Sequence, residues 1–91
     1  MKARFRIMGF EEGGPVRSRD SQNMRLVCLT DSNEKLVIWG EDGKDTKNID
    51  KVLQRGLPCQ VEVDYIAPGE TFKSEFGHKY WVPQNSKLEV V

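Results

Sequence analysis

The sequence predicts an all-β domain with one short helix, a single unit over residues 1–91. Three observations carry this expectation. Apolar and polar residues alternate with period two in several short runs, as half-buried strands require. Helical spacing of apolar residues occurs once, between the third and fourth of those runs. Strands stand before and after that helix without strand–helix alternation, which excludes a doubly wound parallel sheet.

The first strand is Lys2-Ala3-Arg4-Phe5-Arg6-Ile7-Met8, with Ala3, Phe5 and Ile7 on one side and bases on the other. Residues 9–23 lose periodicity around Gly13-Gly14-Pro15 and read as a long loop carrying Arg17 and Arg19. Residues 24–30, Met-Arg-Leu-Val-Cys-Leu-Thr, are more apolar and read as a central second strand. Asp31-Ser32-Asn33-Glu34 has the chemistry of a hairpin turn, and Lys35-Leu36-Val37-Ile38-Trp39 returns as the third strand, ended by Gly40 through Gly43.

Ile49, Val52 and Leu53 then form one apolar stripe, with Asp45, Thr46 or Asn48 able to cap its start and Gly56 to end it. Residues 58–66 alternate again as a fourth strand, with Cys59, Val61, Val63 and Tyr65 on one side. Ala67-Pro68-Gly69 breaks it, and residues 70–79 read as a polar connection punctuated by Phe72 and Phe76. Tyr80-Trp81-Val82 resumes a strand, Pro83 through Ser86 interrupts it, and residues 87–91 finish it.

The 14 bases balance the 14 acids, so net charge points to no acidic or basic partner, but the charge is segregated along the chain. The first 25 residues hold six bases and three acids, and residues 31–50 hold three lysines and six acids. Cys28 and Cys59 sit inside apolar runs and read as reduced buried thiols. The start Met1-Lys2-Ala3-Arg4 lacks the apolar stretch of a signal peptide, and no run approaches the ~18 apolar residues of a membrane span. A cytoplasmic protein without membrane contact is the expectation.

Strand, strand, strand, helix, strand, strand is the order of the OB-fold, a five-stranded Greek-key β-barrel whose helix plugs one end. Locally, Leu29-Thr30-Asp31, the turn, Lys35-Leu36-Val37-Ile38-Trp39-Gly40 and then Gly56-Leu57-Pro58-Cys59-Gln60-Val61-Glu62-Val63 resemble the nucleic-acid-binding OB modules of replication protein A and of tRNA anticodon-binding domains. The resemblance covers roughly residues 24–66 and departs from those modules at Asn33, where glycine is common, and at the acidic Glu41-Asp42. An SH3-like barrel or a small open sandwich is the competing architecture.

The resemblance implies a ligand face on strands two and three, flanked by residues 9–23 and 67–79. Arg4 and Arg6 from strand one, Arg17 and Arg19 from the first loop, and Arg25 from strand two would supply cations. Trp39 would offer a stacking platform, and Phe72, Lys73, Phe76, Lys79 and Tyr80 interleave aromatics with bases as single-stranded nucleic acid requires. Each has a plainer reading. Trp39 also suits a core, the bases of strand one also suit a solvated face, Phe72 and Phe76 also suit pinning of a long loop, and of Tyr80 and Trp81 one must point inward.

No catalytic constellation accompanies them. His78 is the sole histidine, the cysteines stand 31 positions apart, and no phosphate-loop, calcium-loop or nucleophile motif is present. The sequence therefore points to a non-enzymatic module without metal or cofactor. Two ligand classes remain open: single-stranded nucleic acid, with DNA favoured over RNA, and a protein partner within a larger complex. Bases gathered on one continuous face would favour the first, and bases paired off against Glu11, Glu12, Glu41 and Asp42 the second.

Overall fold

The computed structural model of the chain describes residues 2–64, 72–74 and 77–91, with 72–74 and 77–79 described by their backbone. It is mostly β with one helix. The elements are β1 (Ala3–Phe10), a 3-10 turn (Glu11–Gly13), β2 (Val16–Arg17), β3 (Asn23–Thr30), β4 (Lys35–Glu41), α1 (Lys47–Arg55), β5 (Cys59–Val63), β6 (Phe72–Ser74), β7 (Gly77–Val82) and β8 (Leu88–Val90).

The strands follow their alternation. Along β1, Arg4, Arg6 and Met8 are exposed while Phe5 and Ile7 are buried. The β3–β4 hairpin closes where Thr30 accepts from Asn33 and Glu34 returns a carbonyl to the Thr30 amide. Asn33 takes φ +60°, a left-handed conformation that asparagine tolerates better than most residues, so a glycine is not required there. Segments read as connections prove partly structured: residues 9–23 hold the end of β1, the 3-10 turn and β2, and residues 70–79 hold β6 and the start of β7.

The strands lie in the order β6-β7-β4-β3-β1-β5-β8, with the short β2 paired to β3. Neighbours are antiparallel except β4 and β7, which run parallel. The first part of β1 pairs with β5 through Ile7, and its last part pairs with β3 beyond a register shift between Ile7 and Gly9. β7 and β8 follow one another in the chain but lie at the second and seventh places of the sheet. In a flat sheet five strand spacings, about 24 Å, would separate them. The six Cα steps from Val82 to Leu88 reach at most about 22 Å. A turn within that link, where the Ser86 amide donates to the Pro83 carbonyl at 3.0 Å, shortens it further. The sheet must curl, and it forms a half-barrel.

Inside the curl, Ile7, Leu26, Leu36, Ile38, Val61 and Val82 are fully buried, and Ile49 and Val52 of the helix join the same cluster. Leu53 does not: it is 39% exposed, and the third buried residue of α1 is Asn48. Asn48 is not the cap either. Its amide donates to the Ser86 carbonyl at 2.8 Å, and Lys51 donates to the Leu88 carbonyl at 2.8 Å, so the helix is tied to the β7–β8 link. Thr46 stands at the N-cap but makes no side-chain cap hydrogen bond, its hydroxyl donating to Asp50 instead, while the Asp45 carboxylate just before it accepts from the Lys47 amide. Cys28 and Cys59 are buried free thiols; burial, then the nearby Cys59, pushes the Cys28 thiol up to about 12. No helix among the described residues is long and apolar enough to cross a membrane.

Gly40 is where the helix meets the sheet most closely. A Cβ there would stand 3.0 Å from the Asp45 carbonyl oxygen, 3.1 Å from Ile49 Cδ1 and 3.3 Å from Thr46 Cα. Two of these neighbours are backbone and cannot swing aside. Gly40→Ala should cost about 1–3 kcal/mol by overpacking. Urea unfolding should then show a lower midpoint at an unchanged slope.

Candidate functional site

Leu36 and Ile38 point into the core, so the pleat turns Lys35, Val37 and Trp39 to the opposite face of β4. Register fills that face from both sides. Arg25 and Val27 of β3 lie opposite Trp39 and Val37, and Trp81 of β7 lies beside Val37. Val37 is fully buried without belonging to the core cluster, because the side chains of this outer face cover it. The Trp39 and Trp81 rings stack with centroids 5.3 Å apart and planes 11° from parallel. Offset stacking of this kind contributes about 0.5–1.5 kcal/mol beyond area burial, enough to hold two partly buried indoles side by side.

A groove of about 240 Å³ opens here, lined by both indoles, Arg25, Val27, Lys35, Glu11 and Glu12. The carboxylates come from the 3-10 turn that follows β1. Lys35 Nζ lies 2.7 Å from Glu11 Oε2, and Arg25 Nη2 lies 3.8 Å from Glu12 Oε2. Among the described residues the groove thus combines aromatic surface with two cations, each facing an acid. Elsewhere a polar cleft bounded by Lys2, Glu62, Asp64, Lys87 and Glu89 and a shallow groove beside α1 bounded by Lys51, Gln54, Arg55, Glu89 and Val90 have no aromatic lining.

Of the residues nominated from sequence, Arg25 and Trp39 line the groove. Arg4 and Arg6 lie on the stretch of β1 paired with β5. The Arg4 Nε donates to Glu62 at 2.9 Å, and Arg6 is exposed in register with Gln60. Arg17 faces Asp42 at 3.5 Å and donates to the Ser21 carbonyl. Arg19 is exposed beyond β2. Tyr80 packs inward, its ring 5.3 Å from that of Phe5, and its phenol donates to Glu34, which with partial burial pushes its pKa up. Phe72, Lys73 and Lys79 lie on the β6–β7 hairpin, where position 79 is in register with Lys35, and Phe76 lies outside the described residues.

Lys35 and Trp81 were not among the nominations, although the parity of Lys35 with Trp39 was readable in the alternation of β4. Glu11 and Glu12 lie in a stretch without periodicity, so the sequence offered them only as acids against which bases would pair off, with no indication of which cations they meet. Among the described residues the bases do not merge into one face. Arg25, Lys35, Arg17 and Lys44 meet Glu12, Glu11, Asp42 and Glu41 respectively. Among the described residues no three His, Cys, Asp or Glu side chains gather as metal ligands would.

Hydrogen bonds from Arg4, then from Lys2, hold the Glu62 carboxyl below its usual range despite a small opposing effect of burial. A lowered pKa means that this interaction stabilises the fold at neutral pH and is lost as pH falls through the lowered value. An NMR titration should find Glu62 below the ordinary glutamate range, and Arg4→Ala should return it upward. Compared with known proteins, the chain matches no protein family, no curated protein and no solved structure.

Proposed function

We propose that this chain is a non-catalytic single-stranded nucleic-acid-binding module, built as an OB-type barrel, with the outer face of β3, β4 and β7 as its interface. Several features support the barrel reading. Three successive antiparallel partners, β1, β3 and β4, precede the helix. The last strand is split, one piece parallel on β4 and the other antiparallel on β5, so that it spans both ends of the curl. β2 and β6 are additions to the five-strand order. In OB modules the face of the second and third strands takes oligonucleotides.

The observation that carries the ligand class is the Trp39–Trp81 pair lining a groove on that face. Base–aromatic stacking contributes about 1–3 kcal/mol per base and tolerates any sequence. Because the groove's two cations already face carboxylates, stacking rather than phosphate attraction supplies most of the affinity. Anisotropy of labelled oligo-dT and oligo-U, titrated at two salt concentrations, checks this. Two phosphate contacts would give a log–log salt slope of at most about −1.4. Trp39→Ala and Trp81→Ala should each weaken binding by about five- to a hundred-fold. Absence of binding at tens of micromolar in low salt would overturn the proposal.

A second reading, a protein partner, is favoured by the charge balance of the groove. Interface centres are rich in Trp and Arg and poor in unpaired charge. If the oligonucleotides fail to bind, a defined partner whose capture is lost in Trp39→Ala would establish it.

A further inference from the structure

We propose that the Glu11–Gly13 turn is an internal anion that occupies the groove's cations and determines which ligands enter it. This rests on the reading of the groove as a site for bases and phosphates. Glu11 and Glu12 are consecutive, yet their carboxylates reach cations on two different strands, Lys35 of β4 and Arg25 of β3. Both acids and both cations line the same groove as the indoles. The carboxylates therefore stand where a ligand's anions would have to stand.

The backbone of the turn points the same way. Glu12 takes φ +61°, ψ +8°, a left-handed conformation that a non-glycine residue adopts at a cost. Gly13 and Gly14 follow immediately, so the chain has glycines at hand for such a conformation and yet places a glutamate in it. Exposed ion pairs add little to stability, which leaves the Glu12–Arg25 pair without a sufficient structural reason. Selectivity supplies one. A ligand gains the two cations only by displacing both carboxylates, which requires two anions at matching separation together with a ring for the indoles. Isolated phosphates and scattered polyanions do not meet that requirement.

The test compares the wild type with Glu11→Gln/Glu12→Gln, which keeps size and removes charge. Two probes are used: oligo-dT by anisotropy and inorganic tripolyphosphate by calorimetry. The double variant should bind oligo-dT about three- to ten-fold more tightly, since an exposed pair such as Glu12–Arg25 contributes up to about a five-fold factor. Its salt slope should steepen toward about −1.4, because neither carboxylate then competes with phosphates for Lys35 and Arg25.

If neither protein binds oligo-dT but tripolyphosphate binds more tightly to the double variant, the internal anion stands and the nucleic-acid reading falls. If the folded double variant binds both probes no more tightly than the wild type, the proposal is overturned. Should the double variant unfold, Glu12→Gly carries the same comparison, because it removes one carboxylate and relieves the left-handed backbone.

Discussion

Everything in this molecule answers to the short link between β7 and β8. Two strands adjacent in sequence lie near opposite ends of the sheet, and the chain between them is too short to cross a flat one. Curling removes the conflict and at the same time creates an inside. The register shift in β1 lets one strand serve β5 with its first part and β3 with its last, so the sheet bends where its pairing changes hands. The helix is then fixed against the link itself, through Asn48 to Ser86 and Lys51 to Leu88. Closure, core and helix position are one arrangement seen from three sides.

The same curl decides what the outer surface offers. Charge is segregated along the sequence, but the fold interleaves it, bringing the acids after β1 against cations of β3 and β4 and the acids after β4 against Arg17. A chain with equal numbers of acids and bases could have folded into a positive face and a negative one. Among the described residues this one instead brings several acids and bases together in pairs, and the β3–β4–β7 face also carries the stacked indoles. Recognition by shape and stacking suits such a face better than recognition by electrostatic attraction.

What sequence alone revealed was what short-range physics controls. Period-two alternation located β1, β3, β4 and β5, and Gly56, with its left-handed φ of +78°, ends the helix as its position suggested. That strands stand on both sides of one helix, and that Pro83 through Ser86 break the last of them, were also readable. Misreadings came where long-range partners decide. Leu53 fits the apolar spacing of α1, yet the inward place goes to Asn48 because the Ser86 carbonyl needs a donor 38 positions away. The choice between Tyr80 and Trp81 depends on the parallel pairing of β7 with β4, which no local pattern encodes. Arg4 looked available for a ligand and is committed to Glu62 across the β1–β5 pair.

The stacked indoles have one more consequence. The chain has two tryptophans, and both line the same groove, while the inner cluster is built of aliphatic side chains, two cysteines and Phe5. Light absorbed by indole is therefore emitted from the candidate site alone. Quenching by a dissolved acceptor measures how open the groove is, and the exciton coupling of two near-parallel rings with centroids 5.3 Å apart gives the pair its own circular-dichroism band. The protein carries its own optical gauge, unlabelled, at the one surface where a ligand's arrival would be felt.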